Sequence, residues 1–278
     1  MLLIIMVPPL INNMYKLRNI IQKNKYHKIM DLRDYSFLAP PVLLPLLQYM
    51  DQHNINEYYP HPNTKQYLEK VLGRQRCTDT TYPLRQLKKF HHDNTYGLAD
   101  KVEEHLSQVT DEIFDLFDLN LDLNGINLIV YEMLTNIYKH SQFDNAYILC
   151  QKYPNANKLD ICMIDDGVTI PGSFENADIK FINDSEAIFD AINGQTSDKE
   201  NYQLHGRGLN TTASITSLGF GGEMLIASRN GVCSVYPRGV KLWNKCMPII
   251  DGTFVTLRVN TNTKSNISYA KRREFEKI

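Results

Sequence analysis

The chain has 278 residues, of which 43% are hydrophobic and 22% are charged, and its formal net charge is −1 at pH 7. This length predicts a globular protein with one large core or two modest ones, and the usual domain size favours two. The near-neutral charge gives no overall electrostatic support for binding to nucleic acid or to an anionic membrane. The five cysteines are odd in number and lack CxxC spacing, so neither a disulfide framework nor a zinc site is predicted and we expect a reducing cytoplasm.

An apolar stretch, "MLLIIMVPPLI", opens the chain. It is too short to span a membrane and has neither a basic flank nor a cleavage site, so it predicts a buried strand rather than a targeting segment. The pattern then indicates a helix in "NNMYKLRNIIQKNK", a strand in "KIMDLRDYSF", and helices in "PPVLLPLLQYMDQHN" and "NTKQYLEKVLG". Because strand and helix alternate, we predict a small α/β domain over residues 1–80.

Turn formers and mixed charge follow in "RCTDTTYPLRQLKKFHHDNTYG", which predicts a junction between domains. The helical pattern "LADKVEEHLSQVTDEIFDLF" leads out of it. We therefore expect a linker with a connecting helix over residues 81–110, a second domain over 111–265 and a polar tail over 266–278.

The stretch "VYEMLTNIYKHS" places polar side chains on an otherwise apolar helix. Glu132, Asn136 and His140 follow at i, i+4 and i+8 and so share one stripe. The opposite apolar face would hold the helix to a sheet. A solvated polar face is the alternative interpretation.

Two strand patterns, "NAYILCQKYP" and "KLDICMIDDG", come next and are joined by turn formers, which predicts a hairpin. Asp165 lies at the end of the second apolar run, and Gly167 allows another group to approach the backbone closely.

Two further motifs lie nearer the C-terminus. In "LHGRGLNTTASITSLGF", Gly206 and Gly208 precede a helical pattern, and the free N–H groups of a helix start suit phosphate; an ordinary loop before a helix is the alternative. "DGTFVTLRV" reads as a strand entered through a turn at Gly252, where Thr253 offers a hydroxyl.

Taken in order, these segments resemble the ATP-binding domain of the GHKL superfamily, which gyrase, the MutL mismatch-repair proteins, histidine kinases and anti-sigma factor kinases share. "EMLTNIYKH" is similar to its N box, "DDGVTIP" to its first glycine box, "GRGL" to the second and "GTFVTL" to its last strand motif. The resemblance covers residues 95 to 260. It implies a two-layer α/β sandwich of the Bergerat type, with a mixed sheet, that binds ATP and Mg²⁺.

The resemblance also implies roles for the residues of the N box. Glu132 would be the general base that orients and deprotonates an attacking hydroxyl, and Asn136 would hold the magnesium ion that bridges the phosphates. Lys139 and His140 would stand near the phosphates as a charge and a donor.

The glycine boxes and the last strand would complete the nucleotide site. Asp165 would accept the adenine amino group, Gly167 would make room for the base, and Ile170 and Leu209 would contact the nucleotide. Gly206, Arg207 and Gly208 would close a lid over the triphosphate, and Thr253 would sit beside the adenine.

Two positions depart from the family pattern. Thr169 stands where the first glycine box has a second glycine, and Asp166 replaces the usual asparagine. The segment "FDAINGQTSDKENYQLHG" is polar and rich in turn formers, as a mobile lid would be.

The first domain resembles a STAS-type domain, the partner fold of anti-sigma factor kinases, in "KIMDLRDYSFLAPPVLLPLLQYM" and "YLEKVLG". In that family a serine at the helix cap accepts phosphate. This chain has Ala39 and Pro40 there, and Ser36 lies too early to replace the serine. We therefore expect an interaction or sensing module that contacts a protein partner.

Three functions stay open at this point. The first is a cytoplasmic signalling protein that hydrolyses Mg-ATP or uses it as a conformational switch, the second a serine/threonine protein kinase that acts on a separate partner, and the third a non-catalytic ATP-binding module. The carboxylate at Glu132 favours an enzyme over the third. A sensor histidine kinase needs a phosphoacceptor histidine followed by an acidic residue and proline, a frame that His91, His92 and His105 lack. Members of the superfamily commonly dimerise, so a homodimer is a further expectation.

Overall fold

The computed structural model describes residues 9–72, 84–86, 104, 107–108, 111, 123–195, 208–243, 248–263 and 275–278. Its α-helices are α1 (Leu10–Asn24), α2 (Pro40–Gln52), α3 (Lys65–Leu72), α4 (Leu123–Asn136), α5 (Ile170–Asn176), α6 (Asp184–Ile192) and α7 (Gly208–Ser214). Its strands are β1 (Ile29–Leu32), β2 (Glu57–Pro60), β3 (Leu84–Gln86), β4 (Ala146–Tyr153), β5 (Lys158–Asp165), β6 (Glu223–Arg229), β7 (Gly231–Tyr236), β8 (Gly239–Trp243) and β9 (Ile250–Asn260). A π-helical turn follows α4 at Ile137–Ser141, and another follows α7 at Ile215–Gly219.

Seven strands form the main sheet, in the order β3-β4-β5-β9-β6-β7-β8. The α/β class is confirmed, but the expected mixed sheet is not found, because every pair of named strands in this sheet is antiparallel. Short connections account for part of the difference: β4 turns into β5 through Pro154–Ala156, and β6 turns into β7 through Asn230. Such hairpins reverse the chain, whereas parallel neighbours need a long crossover.

A separate two-stranded sheet lies in the N-terminal part, where β1 and β2 pair in parallel with α2 between them. The predicted helices here are confirmed as α1, α2 and α3, and the predicted strand is confirmed as the shorter β1. The predicted N-terminal strand lies outside the described residues except for its last part, which forms the start of α1. Within the predicted junction, Leu84–Gln86 forms β3, an edge strand of the main sheet.

One face of the main sheet packs against α4, α6 and α7. The alternation along each strand selects the side chains of this face, such as Ile161 and Met163 from β5 and Val255 and Leu257 from β9. They meet Ile129 and the other apolar residues of α4, as the sequence pattern predicts. The polar stripe of α4 is thereby directed towards one end of the sheet.

Helices α1 and α2 cover the other face of the sheet. Helices therefore lie on both sides of the sheet, which makes three layers where two were expected. Leu149, Ile164 and Phe254 from this face belong to one buried cluster with residues of α1 and α2. The backbone N–H of Leu10, at the start of α1, also donates to Glu223 Oε2 on β6 at 3.0 Å. The domain boundary near residue 80 stays a prediction, although the described part of residues 1–80 shares its core with the main sheet.

The described ranges contain no helix that combines the length and the apolar character needed to cross a membrane.

Candidate functional site

A cavity opens at the end of the main sheet, where the ends of α4 and β5 meet the starts of α5, α7 and β9. Its volume is about 140 Å³, roughly ten times the space that one water molecule needs. It can therefore accept a group larger than solvent. Its lining residues come from segments far apart in sequence: Met133, Asn136, Ile137, His140, Ser141, Met163, Asp165, Val168, Thr169, Ile170, Ser173, Phe174, Ala191, Gln195, Gly208, Leu209, Thr253 and Val255.

The last turn of the α4 helix forms one wall of the cavity. Asn136 and His140 both line it, as their spacing predicts, but the turn from Ile137 to Ser141 is π-helical rather than α-helical. The wider winding means that the stripe is not straight, since a π turn holds more residues than an α turn. Lys139, which was expected near a ligand, is exposed and lies outside the cavity lining.

Asp165 is the buried carboxylate of the site. It ends β5, is 3% exposed and lines the cavity. Burial, which penalises the charged form, raises the pKa of this carboxyl to about 7, although the Gly167 N–H that donates to Oδ1 at 3.0 Å lowers it in part. Such a group can change protonation near neutral pH, a property that is enriched at functional sites.

The turn after Asp165 packs tightly against the end of the π turn. The Val168 N–H donates to the backbone oxygen of Ser141 at 2.5 Å, and a side chain at Gly167 would overlap that same oxygen. Gly167 is thus required by contact with the protein backbone, and it stands beside the cavity rather than in its lining.

Asp166, one of the two departures from the family pattern, holds the start of β4. Its Oδ1 accepts from the backbone N–H groups of Asp144 and Asn145 at 2.8 and 2.7 Å, and its Oδ2 accepts from the Asn145 side chain at 2.8 Å. A carboxylate can accept all three bonds, whereas an asparagine oxygen and amide could not. Asp166 therefore fixes the loop beside the site.

Thr169, the second departure, is the N-cap of α5. Its backbone is extended, with φ −72° and ψ 160°, and its Oγ1 accepts from the Gly172 N–H at 2.9 Å. No left-handed conformation is needed here, so glycine is not required. The helix that it caps brings Ile170 to the cavity.

Ser228, on β6, connects several parts of the site and was not identified from the sequence. It is fully buried; its hydroxyl accepts from the Ile170 N–H at 3.1 Å and donates to the Gly252 oxygen at 2.8 Å. It also lies 3.2 Å from the hydroxyl of Thr253, which lines the cavity. An isolated serine in a strand gives no sequence signal for such a role.

Glu132 and Asn136 converge on Gly208, at the start of α7. A β-carbon built on Gly208 would lie 2.5 Å from Glu132 Oε2 and 3.4 Å from the side-chain amide of Asn136. Glu132 stands outside the cavity lining, yet burial raises its pKa, an effect that the charge of Lys139 partly opposes. Gly208 and Leu209 line the cavity, whereas the predicted lid residues Gly206 and Arg207 lie outside the described residues.

Several lining residues were missed although the strand period marks them. Met163 lies two residues before Asp165, and Val255 two residues after Thr253, so each shares a sheet face with a predicted site residue. The described residues hold no group of three or more His, Cys, Asp or Glu side chains that could bind a metal ion by themselves.

The chain matches no protein-family model and no curated protein at a significant level. Among solved structures, it is similar to the histidine kinase domain of the blue-light-activated histidine kinase EL346 from Erythrobacter litoralis, with 13% identity. The alignment covers 94% of this chain and 100% of that domain, at a TM-score of 0.29. A likeness at that score carries no argument about the function of this chain.

Proposed function

We propose that this chain is a regulatory protein that binds Mg-ATP in the cavity at the end of the sheet and turns it over. One observation supports the proposal most strongly. Residues that four separate sequence motifs nominate, including Asn136, Asp165, Gly208 and Thr253, line a single cavity. A solvated helix face and unrelated turns would not be expected to meet in this way.

The adenine would occupy the end of the cavity at Asp165. A carboxylate is a good acceptor for the exocyclic amino group of adenine, and Met163, Phe174 and Val255 provide apolar surface for the ring nearby. The Thr253 hydroxyl adds a second polar contact, held in place through Ser228. This combination of apolar walls and few polar groups is typical of small-molecule sites.

The phosphates would lie towards Gly208 and Asn136. Mg²⁺ prefers oxygen ligands and keeps several waters, so it needs only one or two protein groups when phosphates supply the rest. The Asn136 amide oxygen fits this requirement, since the side chain lies close to Gly208, 3.4 Å from a β-carbon built there. Bound magnesium would neutralise phosphate charge there.

The properties of Glu132 favour a site that turns ATP over rather than one that only binds it. As its pKa is raised by burial, it is a better base than an exposed glutamate, and it stands beside Gly208 without lining the adenine end. Hydrolysis and transfer to a separate protein both use such a base. Incubation with magnesium and γ-labelled ATP separates them: free phosphate alone means an ATPase, and label on an added partner means a kinase.

The N-terminal part would supply the partner contact. Ala39 is the N-cap of α2 and Pro40 follows it, so no hydroxyl stands at the position where a STAS-type acceptor would be. Exposed aromatic side chains, which are enriched at protein interfaces, lie in this part at Tyr26 (89% exposed), Phe37 (45%) and Tyr59 (52%).

Calorimetric titration of the full chain with ADP and ATP tests nucleotide binding. Asp165→Ala should weaken both nucleotides by roughly ten- to a hundredfold, since a lost buried partner costs ~1 to 3 kcal/mol. Asp251→Ala is the matched control, because Asp251 is exposed and lies two residues from Thr253 without lining the cavity. Equal affinities for wild type and a folded Asp165→Ala variant would refute the adenine assignment.

A further inference from the structure

Helix α2 carries one buried polar side chain that faces the candidate site from the opposite side of the sheet. Ten residues of α2 are buried, and Gln48, which is 6% exposed, is the only one of them with a polar side chain. Its Nε2 donates to the backbone oxygen of Asp165 at 2.9 Å. A buried amide costs free energy unless it is hydrogen-bonded. The bond to Asp165 therefore explains why glutamine stands at a buried position where the apolar neighbours would favour leucine.

The accepting oxygen belongs to the residue whose carboxylate lines the cavity. Asp165 ends β5, and its backbone is held between β4 and β9 opposite Ala146 and Thr253. The backbone oxygen also packs against Gly252, where an added side chain would overlap it. Gln48 thus fixes the end of β5 from one face, while the Gly167 N–H holds the carboxylate on the other.

We propose that Gln48 is a positioning residue that sets the purine specificity of the site through Asp165, an inference that rests on the proposed nucleotide binding. A hydrogen bond weakens steeply as its distance and angle depart from the optimum. The Asp165 carboxylate can select a purine that bears an amino group only if the end of β5 is held in place. Without the amide of Gln48, the Asp165 oxygen loses this donor and the end of β5 is held less firmly. The helical layer of the N-terminal part is therefore coupled to the recognition of the base.

The test compares ADP with inosine diphosphate, in which an oxygen replaces the purine amino group. Calorimetry on the full chain should show that wild type prefers ADP by ~10- to 100-fold. Gln48→Met, which keeps the length but removes the donor, should lower this preference by about tenfold through weaker ADP binding. Gln52→Met is the matched control one turn later, because Gln52 is exposed and its Nε2 lies 3.4 Å from the Asp251 oxygen. It should leave the preference unchanged.

The ratio of the two affinities separates positioning from a general effect on stability. A less stable protein binds both nucleotides less well and keeps the ratio, so an unchanged ratio in folded Gln48→Met overturns the inference. If that variant does not fold, Gln48→Asn, whose amide is set back by about 1.5 Å, carries the same expectation. A selective wild type with an unchanged ratio in the variants refutes the role of Gln48 alone. A wild type that binds neither nucleotide refutes the proposed function, and this inference with it.

Discussion

At the scale of single residues, Asp165 links the chemistry of the site to the stability of the fold. Its pKa is raised by burial to about 7, well above the value near 4 of an unfolded chain. The folded protein therefore binds this proton more tightly than the unfolded chain. The resulting stability is fully present below pH 4 and is lost as the pH rises through 7.

This gives a prediction for Asp165→Asn, which keeps an acceptor for the Gly167 N–H but cannot ionise. The free energy of unfolding of the variant, relative to wild type, should be higher at pH 8 than at pH 5 by about 2 to 3 kcal/mol. Urea denaturation at both pH values measures it. Asp251→Asn, at an exposed position, is the control for the substitution itself. A pH-independent difference for Asp165→Asn would show that the carboxyl is not perturbed by its site.

Substitutions of Glu132 and of Asn136 should affect nucleotide binding and turnover in different ways. Glu132→Ala should retain Mg-ATP while the single-turnover rate falls by a factor of ~100 to 10,000, the usual range for a positioned general base. Asn136→Ala should lose the magnesium-dependent part of binding as well as turnover, since one metal ligand is gone. Affinity measurements with and without magnesium, together with single-turnover kinetics, decide between these outcomes. Two variants that behave like wild type would support a solvated polar helix face instead.

Site residues that belong to a sequence motif could be predicted from the sequence. Residues that act through a single long-range contact could not. Asn136, Asp165 and Thr253 belong to segments with recognisable patterns, and the structure brings them to one cavity. Ser228 and Gln48 act through hydrogen bonds to residues distant in sequence. No local spacing encodes such bonds, so they required the fold.

At the scale of elements, the junction between β5 and β9 is a tightly packed part of the site. Gly252 has φ +122°, and an added side chain there would overlap the backbone oxygen of Asp165. Gly252→Ala should therefore destabilise the protein by ~2 to 4 kcal/mol or more, since both the backbone conformation and the space oppose a side chain.

Gly219→Ala is the control for that variant. Its β-carbon would meet Ile215 Cγ2 at 3.6 Å, an ordinary contact, so its stability should stay within ~1 kcal/mol of wild type. Thermal and urea denaturation of both variants test the contrast. Similar melting temperatures for the two variants would mean that Gly252 is not packed against the Asp165 backbone as described.

Elements with a strong period could be predicted from sequence, while short or unusual ones could not. β4, β5 and β9 follow alternating or continuous apolar runs and were predicted near their observed bounds. The strands β2 and β3 have four and three residues and little apolar pattern, so their pairing partners determine them. The π turn after Asn136 cannot be read from a periodicity that assumes 3.6 residues per turn.

At the scale of the whole molecule, the sheet is buried on both faces, and its second face depends on the N-terminal helices. Leu149, Ile164 and Phe254 are fully buried in a cluster with α1 and α2. A fragment of residues 73–278 would expose this apolar surface, so we expect it to bind a hydrophobic dye and to form larger assemblies than the full chain. Light scattering and dye fluorescence test this. A monomeric fragment with the melting behaviour of the full chain would instead support two independent domains.

The central claim is that an adenine nucleotide occupies the cavity between α4, β5, α7 and β9. A crystal structure of the full chain with magnesium and a non-hydrolysable ATP analogue tests it most directly. We predict the adenine amino group within ~3.2 Å of the Asp165 carboxylate and the phosphates beside Asn136 and Gly208. A nucleotide bound elsewhere, or a cavity that stays free of nucleotide at saturating concentration, would contradict the account.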